Sequence, residues 1–557
     1  MSTKTTTIPP FEATPLDVIP SSVNILRSTY GSLRTKDIQY RLKQLRKLYW
    51  GIVDYSSLLE EALLKDFGKS KHETAISEVG WAKNECIDLI NNLEKWTKDE
   101  PVVNVPVSFW AMKHRIRYEP LGVILVIGAF NYPVQLALVP AMGAIAAGNA
   151  VLLKPSEGAP HTAMVLQRIF EEYLDPEAYV CVNGALPESQ ALLSQKYDKI
   201  VFTGSRSVGK IVAKKAAETL TPVLLELGGQ NPAFISKNAD IKLAARRLLW
   251  GKCLNAGQVC LSQNYALVER SVVSQFIGEL HNSYRTFMPQ GAKASTDYAR
   301  INNKANFDRL KSLVDNSKGK IVLGGSMDES DFFIEPTVVL VEDIEDSLIS
   351  NETFGPIWSI VPYDNLDQAI DIANRVDPTP LALFTFGSDA ENQKGTYQVH
   401  CLSRSASARW KCLTLSLVLR SVTSGGATVN DAYSHASVIA APFGGVGGSG
   451  MGSYHGFYSI KAFSHQRTVA QVPGWMDKLL RVRYMPYSAK DLKRFDRMSA
   501  KKPDFDRNGD VARGLGYWLR ILFGLGSHGA KGAITRWGVL LAVLVSLLLR
   551  TKSAGLR

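Results

Sequence analysis

The sequence predicts an α/β protein in which strands and helices alternate. The chain has 557 residues, which is too long for one compact core. Val123–Ile127 is a wholly apolar run, as in strands buried in a parallel sheet, and a loop through Pro133 leads from it into an apolar helix that reaches Ala147. Further apolar runs follow at 150–153, 179–182 and 199–202, at the spacing of strand–helix units. This alternation predicts a doubly wound sheet.

The same patterns divide the chain into regions. Residues 1–20 are rich in Thr and Pro and are expected to be flexible, whereas residues 21–100 have a helical period. Residues 101–118 change to closely spaced valines, which predicts an extended excursion. Strand–helix units fill 119–225, and a second α/β region covers 226–456.

Composition narrows the class of protein. Hydrophobic residues make up 45% and charged residues 21% of the chain, as in ordinary folded proteins. The net charge is +12, but the basic residues do not alternate with aromatic residues in a recognisable module, so no nucleic-acid partner is predicted. The six cysteines form no CxxC pair and no Cys/His zinc spacing, which predicts no metal site and indicates reduced thiols in a cytosol-facing protein.

Residues 255–260 hold the cysteine of greatest interest. Small residues, Ala256 and Gly257, precede Cys260, and they would let a substrate approach a nucleophilic sulfur on a tight turn. Cysteine is also among the most buried residue types, so this stretch alone is more typical of a core position than of a nucleophile.

Two strand ends could bind a nucleotide. Gly204, Ser205, Val208 and Gly209 lie in a strand-to-helix turn, where backbone N–H groups and a helix N-terminus would face a phosphate. The glycines are too far apart for GxGxxG, so a plain tight turn is the alternative. Lys154 directly follows a strand and could reach a ribose or a phosphate, although a solvated loop lysine would have the same sequence.

Two further side chains could take part in chemistry. Glu226 lies between leucines and before two glycines, where burial would raise its pKa towards that of a working base. A paired carboxylate at a strand end is the alternative. Asn131 follows a strand and could donate a hydrogen bond to an oxyanion, or it could simply favour a turn before Tyr132 and Pro133.

Taken together and in order, these segments resemble the aldehyde dehydrogenase superfamily. The similarity covers about residues 38–472. It rests on seven separate motifs, which are Asn131-Tyr132-Pro133, Leu153-Lys154-Pro155-Ser156-Glu157, Phe202-Thr203-Gly204-Ser205, Glu226-Leu227-Gly228-Gly229, Gly257-Gln258-Val259-Cys260, Glu352-Thr353-Phe354-Gly355-Pro356 and Pro442-Phe443-Gly444-Gly445.

The resemblance implies a role for each motif. Cys260 would be the nucleophile, Glu226 the general base for deacylation, and Asn131 an oxyanion donor together with the Cys260 backbone N–H. The residues implied for the cofactor are Lys154 and Glu157 at the adenosine ribose, Gly204, Ser205, Val208 and Gly209 at the pyrophosphate, and Glu352 and Phe354 at the nicotinamide ribose. The implied cofactor is NAD(P)⁺, with NAD⁺ favoured, and no metal is implied.

The resemblance also implies an architecture. A Rossmann-type cofactor domain would comprise 21–100 and 119–225, and the catalytic domain 226–456. The segments 101–118 and 457–475 would be β oligomerisation elements of a homodimer. Residues 450–456 resemble the class 3 branch of the family, and the apolar C-terminus is similar to that of its membrane-bound fatty aldehyde dehydrogenases.

An insertion interrupts the expected pattern at 395–421. This segment has no acidic residue and no helical period, and it contains Cys401 and Cys412. A retained intron is one hypothesis, because the segment begins with Gly-Thr-Tyr, and a tolerated surface insertion is the other.

The C-terminus predicts a membrane anchor. Residues 476–513 form a basic linker suited to an anionic membrane surface, and 514–557 form an apolar tail. The core of this tail, 537–549, would span roughly 20 Å as a helix, so flanking residues must help it to cross a bilayer. We expect a cytosol-facing protein on the endoplasmic reticulum, lipid droplets or the mitochondrial outer membrane. A buried terminal helix is the alternative.

The predicted function is oxidation of medium- to long-chain fatty aldehydes to carboxylic acids. The alternatives are a broad-specificity aldehyde dehydrogenase tethered to a membrane, a catalytically impaired scaffold, and a cofactor-independent thioesterase. The Lys154 and Glu352 motifs argue against the thioesterase.

Overall fold

The computed structural model describes residues 7–388, 391, 415–499, 503, 505–511 and 536–542. The chain divides into two compact units, residues 1–101 with 115–469 and residues 102–114 with 470–557.

Helices surround the sheets of the first unit. They are α1 (Val18–Gly31), α2 (Ile38–Asp54), α3 (Ser56–Phe67), α4 (Lys71–Thr74), α5 (Gly80–Trp96), α6 (Gln135–Ala147), α7 (Pro160–Tyr173), α8 (Leu186–Leu193), α9 (Arg206–Ala217), α10 (Ile241–Cys253), α11 (Val273–Phe287), α12 (Lys304–Asp315), α13 (Ser347–Ser350), α14 (Leu366–Val376), α15 (Leu415–Ser421) and α16 (Gly456–Ala462).

The strands of the first unit form two large and two small sheets. They are β1 (Glu100–Pro101), β2 (Arg115–Pro120), β3 (Val123–Ile127), β4 (Ala150–Lys154), β5 (Tyr179–Cys181), β6 (Lys199–Gly204), β7 (Val223–Leu227), β8 (Asn231–Ile235), β9 (Gln263–Glu269), β10 (Lys320–Leu323), β11 (Met327–Asp328), β12 (Phe333–Ile334), β13 (Thr337–Leu340), β14 (Ile357–Tyr363), β15 (Ala382–Phe386), β16 (Gly426–Val429), β17 (Gly450–Met451) and β18 (Ser464–Val469).

The first large sheet confirms the predicted doubly wound α/β architecture. Its strand order is β17-β7-β6-β3-β4-β5, and all pairs are parallel except β17 with β7. Every residue of β3 and β4 is buried, as expected for strands covered by helices on both faces. Because β17 pairs with β7 at Gly450 and Glu226, a late segment of the chain covers the end of the strand that carries the predicted base.

The second large sheet has the order β10-β13-β14-β9-β8-β15-β16. Its pairs are parallel except β10 with β13. Helix α10 crosses from β8 to β9, and the turn that carries Cys260 connects α10 to β9. This connection places the cysteine at one end of the sheet.

The predicted excursion contributes to a separate antiparallel sheet. Strand β2 pairs with β1 on one side and with β18 on the other, with Arg117 opposite Arg467. The segments expected to support oligomerisation therefore contain paired strands, and the homodimer itself stays a prediction.

The N-terminal helices contain one irregularity. The helical period over 73–96 predicts a single helix, but a π-helix at Ala75–Val79 separates α4 from α5. π-Helical turns are rare and are frequent at functional sites.

The second unit contains short helical elements. They are the 3₁₀ segments Val107–Met112, Gly474–Met476 and Arg481–Arg483, with the α-helices α17 (Asp477–Leu480) and α18 (Ala489–Ser499). The backbone N–H of Gln471 donates to the carbonyl of Met112 at 2.8 Å, which joins the two segments of this unit.

The insertion and the tail lie mostly outside the described residues. Of 395–421, residues 395–414 are outside them, whereas Leu415–Ser421 forms α15 with Val418 fully buried. The expectation that the insertion has no helical period is therefore wrong for its end, because Val418 anchors that end in the core. Of the tail, 536–542 are helical, and 514–535 and 543–557 lie outside the described residues. Within the described ranges no helix is long and apolar enough to cross a membrane.

Candidate active site

Cys260 follows a strained turn at the end of α10. Asn255, Ala256 and Gly257 all have left-handed backbone angles, with φ of 49°, 50° and 70°. At Gly257 a Cβ would lie 2.2 Å from the carbonyl oxygen of Gly355, so only glycine fits. The turn is therefore pressed against the segment that carries Glu352 and Phe354.

Hydrogen bonds of Gln258 hold this turn. The side-chain amide of Gln258, which is buried, donates to the carbonyls of Asn255 and Arg300, both at 3.0 Å. Its oxygen accepts from the backbone N–H of Asn302 at 3.1 Å. The loop before Cys260 is thus fixed by a fully bonded side chain.

Asn131 reaches the same loop, as the resemblance implies. Its buried side-chain amide donates to the carbonyl of Gln258 at 3.0 Å, and the amide of Asn255 donates to the carbonyl of Asn131 at 2.8 Å. An Asn amide has two N–H groups. One remains to serve an oxyanion.

The environment of Cys260 favours the neutral thiol. Burial and the nearby carboxylates of Glu226 and Glu352 raise the pKa of the Cys260 thiol to about 12, while the backbone N–H groups of Cys260 and Leu261 favour the thiolate. Cys253, at the end of α10, also packs against core side chains.

Glu226 is a desolvated carboxylate. It lies on β7, is only 3% exposed, and neither of its oxygens has a hydrogen-bond partner among the described residues. Burial raises the pKa of Glu226 well above its ordinary value. The interpretation as a paired strand-end carboxylate is therefore wrong, and the group has the properties of a base.

Glu352 packs on the glycines that follow Glu226. A Cβ at Gly228 would lie 2.2 Å from a Glu352 carboxylate oxygen, so the glycine makes room for this side chain. Burial raises the pKa of Glu352 to about 7, against the opposing effect of the Gly229 N–H hydrogen bond. The ring of Phe354 lies 5.8 Å from that of Phe130 in an edge-to-face contact.

A second group of predicted residues lies at the carboxyl ends of β4 and β6, where nucleotides bind in parallel sheets. Lys154 is only 2% exposed, so the solvated-lysine interpretation is wrong; its Nζ donates to Glu157 at 2.7 Å and to the carbonyl of Pro155 at 3.2 Å. The Ser205 hydroxyl accepts from the Val208 N–H at the start of α9.

These residues fit a dinucleotide. A buried ammonium and a helix N-terminus both favour negatively charged groups. Val208 is exposed at the start of α9, and at Gly209 a Cβ would meet Leu227 at 2.7 Å, so the helix packs closely on the sheet.

Arg206 joins the two groups, and the sequence patterns missed it. It is the first residue of α9; its Nε donates to the carbonyl of Gly228 at 3.0 Å, and its guanidinium pairs with the buried carboxylate of Asp377. Its position between Gly204 and Gly209 is the sequence feature from which a role at the site could have been predicted.

A cavity of about 220 Å³ opens at Cys260. Its lining is largely apolar and includes Trp81, Tyr132, Leu136, Trp250, Tyr433 and Phe443. These residues come from distant parts of the chain, so no local pattern could have predicted them together. Within the described part of the chain no cluster of His, Cys, Asp and Glu could hold a metal ion.

Comparisons with known proteins agree with this geometry. Residues 12–393 match the model of the aldehyde dehydrogenase family. The beta-apo-4'-carotenal oxygenase of Gibberella fujikuroi is 58% identical over 550 residues, which cover 99% of this chain and 97% of that protein.

Other relatives belong to class 3. The rat dimeric NADP-preferring aldehyde dehydrogenase is 38% identical, covering 85% of this chain and 98% of its own. The mouse aldehyde dehydrogenase family 3 member A2 is also 38% identical, over 83% of this chain and 90% of that protein.

Among solved structures, the substrate-bound Staphylococcus aureus AldH is similar with a TM-score of 0.75 and 35% identity, over 84% of this chain and 98% of that one. These matches confirm the family predicted from the seven motifs. The chain belongs to the aldehyde dehydrogenase family, in its class 3 branch, and is an NAD(P)⁺-dependent oxidoreductase that acts on aldehydes.

Proposed function

We propose that this enzyme oxidises long, apolar aldehydes of the apo-carotenal class to carboxylic acids. The observation that carries the proposal is the cavity at Cys260, whose aromatic walls suit the flat face of a conjugated chain. The similarity to the Gibberella fujikuroi apo-carotenal enzyme over nearly the whole chain supports the same substrate class.

The size of the cavity also favours a long substrate. At about 220 Å³ it is smaller than the roughly 300–1,000 Å³ typical of pockets that enclose a whole ligand. It would hold the aldehyde end, while the rest of the chain would pass Ile76 and Trp250, which line the cavity and are 52% and 41% exposed.

In the proposed mechanism Cys260 is the nucleophile. Its thiol proton is lost to solvent, and the sulfur attacks the aldehyde carbon, so that a C–S bond forms and the C=O π electrons move to oxygen. The free N–H of the Asn131 amide and the Cys260 backbone N–H would stabilise the resulting oxyanion. The NAD(P)⁺ whose nicotinamide ribose Glu352 and Phe354 would hold would supply a hydride acceptor at the carbon bonded to Cys260, and oxidation there would give a Cys260 thioester.

Glu226 then serves as the general base for hydrolysis. Its carboxylate removes a proton from a water molecule that attacks the thioester carbon. The C–S bond breaks, the proton held by Glu226 passes to the Cys260 sulfur, and the carboxylic acid is released. The raised pKa of Glu226 suits this role, because a base with a pKa nearer neutrality accepts a proton from water more readily than an ordinary carboxylate.

Lys154, Glu157 and the turn from Gly204 to Gly209 would hold the adenosine and pyrophosphate parts of NAD(P)⁺. Glu352 and Phe354 would hold its nicotinamide ribose. The preference for NAD⁺ over NADP⁺ stays a prediction, as does the membrane location.

Fatty aldehydes are the second candidate substrates, because an apolar lining also accepts a saturated chain. The test compares kcat/KM for an apo-carotenal and a saturated aldehyde of equal length, with Cys260→Ser as the control. We expect at least a tenfold preference for the polyene. Equal values would support fatty or broad specificity, and equal rates for wild type and Cys260→Ser would refute the assigned nucleophile.

A homodimer is also part of the proposal. It is supported by the dimeric rat relative and by the paired strands β2 and β18. Sedimentation velocity of the purified chain tests it, and a monomer at micromolar concentration would refute it.

A further inference from the structure

The N-terminal helices carry a buried charged cluster that no step of the mechanism uses. The ammonium of Lys69 lies 2.8 Å from a Glu78 carboxylate oxygen, and both side chains are fully buried. Glu73, only 5% exposed, lies in the same segment. Buried charges are costly unless they are paired and hydrogen-bonded, so such a cluster calls for a reason.

One end of the cluster holds the segment of Asn131. The Lys69 ammonium is 3.4 Å from the carbonyl oxygen of Asn131 and 4.4 Å from the centre of the Tyr132 ring. The second oxygen of Glu78 accepts from the backbone N–H groups of Val134 and Gln135, both at 3.1 Å. These bonds fix the loop that carries Asn131 at the start of α6.

The other end holds the turn before Cys260. A Glu73 carboxylate oxygen accepts from the backbone N–H of Asn255 at 2.8 Å. Asn255 begins the run of left-handed residues, and its side chain donates to the carbonyls of Asn131 and Gln258. The carboxylate of Glu73 therefore holds the first left-handed residue of the turn.

The π-helix connects these contacts with the substrate cavity. Glu78 lies in it, and Glu73 lies two residues before it in α4, while Ile76 and Ser77 of the π-helix line the cavity. One short segment thus touches the substrate space on one side and both reacting elements on the other.

We propose that Glu73, Lys69 and Glu78 are positioning residues for aldehyde oxidation, which set the Cys260 turn and the Asn131 amide in one geometry. This inference rests on the roles proposed for Cys260 and Asn131. Its physical basis is that oxyanion donors must be held in place before the reaction, since a misplacement of about 1 Å can cost roughly a hundredfold in rate.

Two substitutions of Glu73 separate hydrogen-bond geometry from charge. Glu73→Gln keeps the oxygen that faces the Asn255 N–H but removes the charge, whereas Glu73→Asp keeps the charge and withdraws the oxygen by one methylene. We expect Glu73→Asp to slow the pre-steady-state burst of NAD(P)H at least tenfold, and Glu73→Gln to stay within about threefold of wild type.

Glu188→Asp is the matched control. Glu188 is also a buried glutamate that accepts one backbone N–H, from Ala185 at 2.7 Å, but it lies outside the cavity lining. The control should lower thermal stability without slowing the burst. A burst in Glu73→Asp within twofold of wild type, or Glu73→Gln as slow as Glu73→Asp, would overturn the proposal.

Hydrogen exchange of the wild-type protein gives a second test that does not depend on a variant folding. The Asn255 amide should exchange slowly, as a buried, bonded N–H does, and exchange as fast as that of an exposed loop amide would overturn the proposal. If Cys260→Ser keeps the burst, the proposed function fails. If it loses the burst and Glu73→Asp does not, only this inference fails.

Discussion

The Cys260 thiol should react slowly with alkylating agents when no cofactor is bound. Burial and two carboxylates raise the pKa of the Cys260 thiol to about 12, against roughly 8.5 for an exposed cysteine. At pH 7.5 an exposed thiol is about one-tenth ionised, whereas a thiol with the raised pKa is ionised about 3,000-fold less. The more basic thiolate is more nucleophilic, which recovers roughly 1.5 orders of magnitude. Alkylation should therefore be about a hundredfold slower.

The assay is iodoacetamide labelling of the cofactor-free protein, with the Cys260 peptide quantified by mass spectrometry. A synthetic peptide of residues 255–265, in which the cysteine is exposed, is the reference. Between pH 6.5 and 9.5 the reference rate should level off above its own pKa, whereas the Cys260 rate should keep rising about tenfold per pH unit.

A plateau in the Cys260 rate below pH 9.5 would refute this reasoning. It would mean that the backbone N–H groups of Cys260 and Leu261 outweigh burial and the carboxylates, so that the thiolate already exists in the resting protein. A rate less than tenfold below that of the reference peptide would lead to the same conclusion.

Three further predictions concern charged side chains. Glu226→Gln should keep the NAD(P)H burst in stopped-flow assays but lower steady-state turnover by about 10²–10⁴, because only hydrolysis loses its base; loss of the burst would contradict this. Lys154→Met should raise the Kd for NAD(P)H at least tenfold in a fluorescence titration, and Lys199→Met, which changes a half-buried lysine at the other end of β6 from the glycine turn, should not. Burial raises the pKa of Glu85 to about 7. The neutral form of Glu85 contributes stability that is fully present below pH 4.5 and is lost as pH rises through 7. Glu85→Gln should therefore raise the free energy of unfolding by up to about 3 kcal/mol at pH 8 and leave it unchanged at pH 4, as measured by thermal unfolding.

The sequence was sufficient to predict those strands and helices whose burial produces a local pattern of apolar residues. The apolar runs that became β3 and β4 are buried on both faces, so composition alone marks them. Lys154 and Gly204 are the last residues of β4 and β6, and parallel strands bring their carboxyl ends to one edge, so these positions could be predicted as a group. The π-helix could not, because no local pattern distinguishes it from the α-helices on either side.

The site was predictable as a set of residues but not as a set of contacts. No pattern showed that the Asn131 amide donates to Gln258, or that Glu73 accepts from Asn255, because each bond joins segments more than a hundred residues apart. The cavity could not be predicted for the same reason, since Trp81 and Tyr433, which line it together, lie more than 300 residues apart in the sequence. The end of the insertion was mispredicted because its helix buries Val418 in a core formed by distant parts of the chain, which no local pattern shows.

The buried polar side chains of the site differ in whether they are hydrogen-bonded, and this difference distinguishes structural groups from the candidate base. Gln258 uses both ends of its amide, whereas Glu226 is equally buried and both of its oxygens lack a partner among the described residues. An unpaired buried carboxylate destabilises the fold, so it persists only where the surrounding structure over-determines it. The bonded Gln258 and Asn255 around Cys260 provide that rigidity. Desolvation of Glu226 lowers the stability of the fold and makes its carboxylate a stronger base. The candidate base therefore differs from the structural carboxylates of the protein, which are hydrogen-bonded or paired.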